Sequence, residues 1–538
     1  MKSSQAKLIA FTLLNPITLS NAALYNQVIS TQYGDIQGYP AFNSSPQAGL
    51  TNWKDITVWK GIPFAASTAG NNRFRPPQPA AAWNSTLDAK DFGLVCPAAT
   101  QGTNYSIGED CLNLNIWSAA NSTDAGLPVV MWSYPALSTA RDALFDGGGM
   151  ADKGVVFVNY NYRTGSFGWL ATPELSAENM ATTGHNSSGN WGMLDQFAAL
   201  KWIKANIANF GGDPDQITVM GQSAGSAATY HILNSPLTTE VGIKGAIIES
   251  GVRDPHDPLC ATLAEGYSSL ESSYSTAASF LASLNVTTIA QARALPYADL
   301  VTSLLSFGST GYSFGATLDY YAMPSTYYDS LVNGAANDVP VLTGNTKDES
   351  GANFNTNITY STYMSDLNST FNGTFTTKFF NQYPVNMSDS SATIGQAYNA
   401  QWTDRSKIGT WLWSQLWATA SSQPVYNYIW THAPPGQDRG AYHESEINYV
   451  LNNLYDTDSP WTDEDYTIAA TMNAYWVNFI KTQDPNGKAA NGSSLVDWPA
   501  ADNGTTVQTL GDSFGQAPIA KTAQIQLFEQ WFKTLKAY

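Results

Sequence analysis

Positive charge is scarce in this chain of 538 residues. Its 25 lysines and arginines stand against 43 aspartates and glutamates, and the formal net charge is −18. No basic cluster stands out along the sequence. A surface this acidic repels the phosphates of nucleic acids and of anionic membranes. We therefore expect neither nucleic acid nor a membrane surface as a partner.

Long apolar runs are absent beyond the first residues. No later stretch approaches the ~18 apolar residues that a membrane span needs, and the segment EQWFKTLKAY at the C-terminus shows no anchor tail or retention signal. Residues 1–22 carry Lys2 and Lys7, an apolar stretch and then small residues. This layout is typical of a cleaved signal peptide and predicts a secreted protein with no membrane anchor.

Asn-x-Ser/Thr sequons agree with export and predict N-linked glycans on surface loops. They begin at Asn43, Asn84, Asn104, Asn121, Asn186, Asn285, Asn357, Asn368, Asn372, Asn386, Asn491 and Asn503.

Cysteine is rare, with three in the chain. Cys96 and Cys111 flank a polar stretch, and in an oxidising compartment we expect them to form a disulfide that stabilises the fold by ~3 kcal/mol. Cys260 is then left as a buried free thiol. A metal motif such as H-E-x-x-H is also missing, and neither metal nor cofactor is expected.

Internal repeats, low-complexity blocks and Pro/Gly linkers are absent too, which favours one domain over residues 23–538. Short apolar runs recur instead, and such continuous runs predict strands buried on both faces of a mostly parallel sheet. The runs lie at 127–132, 153–160, 217–220, 244–250, 338–345 and 424–430. Helical patterns alternate with them, the clearest from 190 to 212 with Gly211 as its cap. The pattern predicts a large α/β domain, with helical insertions at 260–335 and 351–420 around a pocket.

The segment ITVMGQSAGSAATYHIL contains Ser223 between two glycines. ITVM predicts a strand, GQSAG a tight turn and SAATYHIL the start of a helix. This order is the one that a nucleophile elbow requires, because the glycines let the chain turn sharply and lift the serine hydroxyl out of the sheet. The N–H of Ala224 would then face the attacked carbonyl, beside the helix N-terminus. We interpret Ser223 as a nucleophile.

A serine nucleophile needs a histidine base held by a carboxylate. Of the five histidines, His231 lies about 12 Å along the same helix from Ser223, too far to take its proton. His185 and His256 are typical of loop and turn positions. The chain order of the elbow architecture leaves His432 and His443 open as the base. Asp348 and Glu349 follow a predicted strand, and either could orient it.

The chain resembles the type-B carboxylesterase/lipase family, the cholinesterase-like branch of the α/β-hydrolase fold, in a secreted fungal form. The resemblance runs nearly end to end through KGIPFA (60–65), RFRPP (73–77), EDCLNLNIW (109–117), NYRTGSFGWL (161–170), GNWGMLDQ (189–196), ANFGGDPDQITVMGQSAG (208–225), GNTKDES (344–350) and GAYHESE (440–446). It implies a triad of Ser223, Glu349 and His443, with Ser250 as a supporting hydroxyl. It also supports the Cys96–Cys111 disulfide and suggests an ion pair between Arg73 and Glu109.

The sequence departs from the family pattern after the strand at 127–132. The family has a Gly-Gly-Gly run there that contributes to the oxyanion hole, whereas this chain has Pro135, Ala136 and Leu137. We expect the N–H groups of Ala224, Ala136 and Leu137 to form a narrower or reshaped hole. The later glycines at 147–149 follow Phe-Asp, and we interpret them as part of a turn.

Two further features modify the expected activity. Gln222 precedes the serine where many members carry glutamate, and a neutral neighbour stabilises a charged imidazolium less. The segment between Cys96 and Cys111 is short and polar where lipases of the family have a long amphipathic lid, which favours soluble esters over lipid droplets.

The sequence thus predicts a secreted serine carboxylesterase that acts through an acyl-enzyme on a small ester. One alternative is a transacylase of a secondary-metabolite pathway, with the same triad. A second alternative is a non-catalytic binding protein related to cholinesterases. Such relatives typically lack a triad member, whereas this chain keeps all three.

Overall fold

The computed structural model describes residues 23–47, 49–97, 104–304, 312, 314–349, 351–501 and 504–538. The predicted signal peptide at 1–22 and the sequon at Asn503 lie outside the described residues.

The described residues form strands and helices that alternate along much of the chain. The strands are β1 (Val28–Thr31), β2 (Gly34–Gln37), β3 (Tyr39–Pro40), β4 (Thr57–Pro63), β5 (Leu87–Asp88), β6 (Asn113–Ser118), β7 (Leu127–Ser133), β8 (Val156–Tyr160), β9 (Gly212–Gln222), β10 (Gly245–Glu249), β11 (Tyr267–Ser269), β12 (Ala316–Leu318), β13 (Val341–Thr346), β14 (Val425–Trp430), β15 (Thr506–Leu510) and β16 (Gly515–Pro518).

The α-helices are α1 (Gly148–Asp152), α2 (Gly165–Trp169), α3 (Pro173–Thr183), α4 (Trp191–Asn206), α5 (Ala224–Asn234), α6 (Leu270–Ser283), α7 (Ile289–Ala294), α8 (Tyr297–Leu304), α9 (Tyr327–Asn333), α10 (Tyr360–Phe371), α11 (Thr374–Gln382), α12 (Ser391–Ala420), α13 (Ile447–Leu451), α14 (Asp463–Thr482) and α15 (Thr522–Phe532). Short 3-10 helices lie at Leu24–Asn26, Trp53–Asp55, Gly70–Asn72, Ala143–Phe145, Ile207–Phe210, Pro236–Val241, Pro258–Ala261 and Leu454–Asp456.

The central sheet has 11 strands in the order β16-β15-β14-β13-β10-β9-β7-β8-β6-β4-β3. From β8 to β15 every neighbouring pair in this order is parallel. The flanking pairs β15–β16, β8–β6, β6–β4 and β4–β3 are antiparallel. The prediction of a mostly parallel sheet is therefore confirmed for its centre, and the whole is a mixed sheet of the α/β-hydrolase type.

The six predicted strands all form, as β7, β8, β9, β10, β13 and β14. Residues of β8, β10, β13 and β14 are buried along their whole length. Helices cover both faces of the sheet. A strand that is buried on both faces has apolar residues at consecutive positions in its sequence. This is why the pattern alone located them.

The predicted helix from 190 to 212 forms as α4 and continues as a 3-10 turn at Ile207–Phe210. Gly211 ends the turn with φ 78°, a conformation that glycine adopts without strain. The buried Arg163–Asp195 ion pair, with Arg163 Nη2 2.7 Å from Asp195 Oδ1, ties α4 to the loop after β8.

The predicted helical insertions are present as α6–α9 and α10–α12. The first insertion packs onto α2 and α4 through an apolar cluster that includes Phe167, Trp191 and Phe280. The second packs onto α15 through a cluster that includes Phe379 and Phe528. Both insertions are therefore anchored by their own apolar contacts.

Two predicted covalent and ionic links are present. Cys96 and Cys111 form a disulfide with Cα atoms 4.9 Å apart, and Cys260 is a buried free cysteine. Arg73 Nε and Nη2 bond Glu109 at 2.6 and 2.5 Å. Within the described ranges, every helix is too short or too polar to cross a bilayer.

Candidate active site

Ser223 lies in a strained turn between β9 and α5. Its φ is 55° and its ψ is −119°, a backbone conformation that non-glycine residues rarely adopt and that costs on the order of 1–3 kcal/mol. A Cβ atom at Gly225 would lie 1.9 Å from Ser133 O, and one at Gly221 would lie 2.2 Å from Gly225 O. The two glycines therefore let the turn close against β7, as the motif predicts.

Hydrogen bonds hold the same turn against β10. Ser223 N donates to Glu249 O at 3.0 Å. Ser226 Oγ donates to Gly221 O at 2.8 Å and also to Glu249 O. These bonds stabilise a conformation that the backbone alone disfavours.

His443 lies on a loop between β14 and α13. Gly440 with φ 72° and Glu444 with φ 77° form the bends on either side of it. Asp348 clamps this loop: its N donates to Ala441 O at 2.9 Å, and its Oδ2 accepts from Ala441 N at 2.8 Å. Asp348 thus positions the backbone before His443, while its neighbour Glu349 contacts the imidazole.

Glu349 and His443 form a close ion pair, with Glu349 Oε2 2.5 Å from His443 Nδ1. Glu349 Oε1 accepts from Thr346 N at 3.0 Å. The Glu349 side chain is 1% exposed, whereas that of His443 is 40% exposed and faces the open site. One carboxylate oxygen therefore orients the ring, and the other is held by the backbone.

The contact between the two side chains shifts both pKa values so that the ionised carboxylate and the protonated imidazole are favoured. Burial alone would raise the pKa of Glu349, but the bond to His443 outweighs it and lowers that pKa. Burial alone would lower the pKa of His443, but the bond to Glu349 and its charge raise that pKa above 6.5. Ser250, after β10, lies beside the carboxylate and helps to lower the pKa of Glu349.

Gln222 brings the serine and histidine segments together. Its side-chain Nε2 lies 3.4 Å from both His443 Nδ1 and His443 Nε2. Ser223 Oγ itself makes no hydrogen bond to any residue that the structure describes. Contacts between a nucleophile and its base are often long in the free enzyme and tighten when substrate binds.

His432, which the residue pattern left open as a base, is held elsewhere. Its Nε2 lies 3.0 Å from Asp465 Oδ1 and its Nδ1 lies 2.7 Å from Asp512 Oδ1. Two carboxylates thus occupy both ring nitrogens, and neither nitrogen is left for Ser223. Two other histidines are on loops, as predicted: His185 stacks on Tyr321, and His256 bonds Asp254.

Ala224, Ala136 and Leu137 line one cavity of about 270 Å³ next to Ser223. Leu137 has φ 65°, a conformation that favours glycine, and its side chain is 49% exposed. The backbone at this point therefore keeps the bend of a glycine segment, with a leucine side chain directed away from the core.

The glycines at 147–149 serve packing. A Cβ atom at Gly147 would lie 2.2 Å from the Phe157 ring, and one at Gly149 would lie 2.2 Å from Leu451 O. They let α1 approach β8 and α13. Gly148 and Gly149 begin α1, so the interpretation of these glycines as part of a turn is wrong for those two.

Two buried glutamates behind the site were missed by the sequence reasoning. Glu249 Oε1 accepts from Trp476 Nε1 at 2.7 Å, while its other oxygen and both oxygens of Glu446 have no hydrogen-bond partner in the described part of the chain. Burial raises the pKa of Glu249 to about 8. Burial and the charges of Glu249 and Glu349 raise the pKa of Glu446 well above its usual range. The signal available in the sequence was the position of Glu446 three residues after His443. The pairing of Glu249 with Gln222 across β9 and β10 is visible only in the folded structure.

Within the described ranges, no cluster of three or more His, Cys, Asp or Glu side chains is arranged to hold a metal ion.

Comparison with known proteins matches the chain to one family and to several esterases. The model of the carboxylesterase family matches residues 25–526. The chain is 33% identical over 483 residues to fumonisin B1 esterase of Sphingopyxis macrogoltabida, covering 86% of this chain and 84% of that protein. It is 30% identical over 517 residues to para-nitrobenzyl esterase of Bacillus subtilis (strain 168), covering 91% and 95%.

A fungal relative and a solved structure extend this likeness. Secreted lipase 1 of Botryotinia fuckeliana (strain B05.10) is 27% identical over 537 residues, covering 88% of this chain and 89% of the lipase. A solved structure of PNB esterase superposes with a TM-score of 0.71 at 27% identity, covering 93% of this chain and 99% of that one.

Proposed function

The chain belongs to the carboxylesterase family, and on that premise we propose that it is a secreted carboxylic ester hydrolase whose Ser223 carries the acyl group. The observation that carries this proposal is the strained turn at Ser223, whose neighbour Gln222 contacts an imidazole that a buried carboxylate orients at 2.5 Å. A hydroxyl, a base and an orienting acid are the parts that acyl transfer through serine requires.

The proposed reaction begins with proton transfer from Ser223 Oγ to His443. Because His443 Nδ1 bonds Glu349, its Nε2 is the nitrogen left for the serine. The freed oxygen attacks the ester carbonyl, and the charge that develops on the carbonyl oxygen is held by the N–H of Ala224 with those of Ala136 and Leu137. Each such donor can lower the barrier by ~3 kcal/mol.

The tetrahedral intermediate then collapses, and His443 returns the proton to the leaving alcohol. The acyl group is now an ester of Ser223. Water takes the place of the alcohol, gives its proton to His443, and releases the acid by the same steps in reverse. The raised pKa of His443 suits this role. The ring must keep the proton that it takes from the nucleophile until it gives that proton to the leaving group.

Three observations support export, as part of the same proposal. The layout of residues 1–22 is that of a signal peptide, the chain contains a disulfide, and a fungal relative is named a secreted lipase. We further propose that residues 23–538 form one domain and that some of the sequons carry N-linked glycans.

The test is hydrolysis of p-nitrophenyl acetate by the purified protein. Ser223→Ala should lower kcat/KM by at least ~10³-fold, because the remaining groups retain only part of the catalysis. Ser272→Ala, at an exposed serine of α6, is the matched control and should leave the rate unchanged. Mass spectrometry after acid quench should find the acetyl group on the peptide that contains Ser223. Full activity in Ser223→Ala would contradict the proposal.

Product analysis separates hydrolysis from acyl transfer. With water alone the enzyme should release free acid at full rate. The alternative is tested by adding an alcohol or amine acceptor at low concentration. If the acceptor then takes nearly all of the acyl group and acid no longer appears, the enzyme is a transacylase.

A further inference from the structure

The cavity beside Ser223 continues along one face of α5. Ala224, Ala227, Ala228 and His231 all line it, and their spacing of three, four and seven residues places them on one side of the helix. The alanines leave room above the helix, and His231 stands at the far end of this row. Seven residues at 1.5 Å each put His231 about 10 Å beyond Ala224.

The imidazole of His231 has no hydrogen-bond partner among the described residues, although His231 is only 9% exposed. Its ring contacts Tyr230 edge-on, with the centroids 6.4 Å apart. Burial lowers the pKa of His231 to about 4. The ring is therefore neutral at neutral pH, with one nitrogen that can donate and one that can accept.

Gln196 is a second buried polar side chain on the same cavity. It is 2% exposed, lines the cavity wall and has no partner for its Oε1. An unpaired buried polar group costs about 1–3 kcal/mol. Gln196 and the imidazole of His231 thus give one mostly apolar cavity two polar side chains that can bond a molecule with polar atoms of its own.

The position of His443 indicates which part of an ester enters this cavity. His443 must reach the oxygen of the leaving alcohol, which therefore lies on the side of His443. The residues that line the cavity include Ala224 and Ala136 but none from the loop at 440–445. The acyl part of the ester is the part that extends away from His443 and into the cavity.

We propose that His231 determines acyl-chain specificity by binding a neutral hydrogen-bonding group, such as a hydroxyl or a ketone, about 10 Å from the ester carbonyl. This inference rests on the proposed function. The preferred substrates are esters of medium-length acids whose chain is apolar near the carbonyl and oxygenated near its far end.

A neutral group fits this cavity better than a charged one. Every side chain that lines it among the described residues is uncharged at neutral pH, and aromatic rings such as Tyr312, Phe314 and Trp169 form part of the wall. A buried charge without a partner is costly. The neutral imidazole can donate to a carbonyl or accept from a hydroxyl, and these are the groups that it selects.

The experiment compares three p-nitrophenyl esters: acetate, octanoate and 8-hydroxyoctanoate. An extended chain advances about 1.2 Å per bond, so the eight bonds from carbonyl carbon to hydroxyl oxygen span about 10 Å. The wild-type enzyme should prefer 8-hydroxyoctanoate over octanoate by about tenfold in kcat/KM, which is the typical effect of one buried hydrogen bond. Acetate is too short to reach His231 and serves as the internal reference.

His231→Leu should remove the preference, measured as kcat/KM for each octanoate relative to acetate, and His231→Asn, which keeps a donor and an acceptor, should retain part of it. His185→Leu is the matched control, because His185 is exposed and stacks on Tyr321 away from the cavity. The proposal is overturned if the wild-type enzyme shows no preference, or if His231→Leu keeps it. Absence of the preference in the wild-type enzyme overturns the proposal without any variant, and His231→Asn tests the role of the residue if His231→Leu fails to fold. Absence of acetate hydrolysis would instead refute the proposed function itself.

Discussion

At the scale of single residues, the surroundings of His443 determine how its proton is held. Two opposing effects act on the ring: burial disfavours the imidazolium, and the Glu349 carboxylate favours it. The carboxylate outweighs burial, so the pKa of His443 is raised above 6.5. A base with a raised pKa is neutral, and ready to accept a proton, only at pH values above that pKa.

The pH profile of the proposed ester hydrolysis follows from this balance. We expect kcat/KM to rise with pH through a midpoint above 6.5, since the free enzyme must lose the His443 proton. Glu349→Gln removes the main effect that raises the pKa of His443 and leaves burial, which lowers it, so the midpoint should move to lower pH while the plateau rate falls. The measurement is the pH dependence of p-nitrophenyl acetate hydrolysis.

Asp438→Asn is the control for that profile, because Asp438 is an exposed carboxylate on the same loop as His443. It should leave the midpoint in place. A midpoint that rises or stays unchanged in Glu349→Gln would show that the carboxylate does not set the titration of the base.

At the scale of elements, α12 contains two glycines in opposite surroundings. A Cβ atom at Gly409 would lie 3.5 Å from Arg253 Cβ, an ordinary contact. A Cβ atom at Gly395 would lie 1.7 Å from Thr356 O, inside the backbone of the preceding loop. The first glycine is therefore replaceable, and the second permits the close approach of that loop to the helix.

Alanine substitutions at these glycines should have opposite effects on stability. Gly409→Ala should raise the free energy of unfolding by about 0.5–1 kcal/mol, because alanine favours a helix over glycine. Gly395→Ala should lower it by about 1–3 kcal/mol, because the loop must shift. Denaturant unfolding monitored by tryptophan fluorescence measures both, and each variant is the control for the other. Equal effects of one sign would contradict the packing argument.

At the scale of the whole molecule, Arg73 joins three distant parts of the chain. It is paired with Glu109, and its Nη1 donates to Ala292 O at 3.1 Å and Leu295 O at 2.7 Å at the end of α7. Arg293 in turn donates to Arg73 O at 2.9 Å. One buried guanidinium thus links the segment before the disulfide to the first helical insertion, whose later residues line the cavity.

Loss of Arg73 should therefore lower the stability of the whole domain. Arg73→Ala leaves the buried Glu109 carboxylate without its partner and should lower the free energy of unfolding by about 3–5 kcal/mol. Arg75→Ala is the matched control: Arg75 pairs with Glu178 but is 42% exposed, and its loss should change stability by under about 1 kcal/mol. Thermal unfolding compares the two. Similar losses in both variants would contradict the role of Arg73 as a link.

Much of the fold could be predicted from local sequence. The strands β7, β8, β10, β13 and β14 follow from continuous apolar runs, because both faces of each are buried. The antiparallel flank was not predicted. Strand β6 contains Asn113 and Asn115, buried polar residues that interrupt the apolar pattern and whose partners lie elsewhere in the chain.

For the candidate site, the sequence by itself determined the elbow at Ser223, because its glycines, strand and helix are neighbours along the chain. Only the tertiary structure distinguished the surroundings of the remaining histidines. His432 is enclosed by two carboxylates and His443 pairs with Glu349, whereas the His231 ring faces a cavity and bonds no residue within the described ranges. Burial and charge at these rings arise from residues far apart in sequence, and those contacts exist only after the chain has folded.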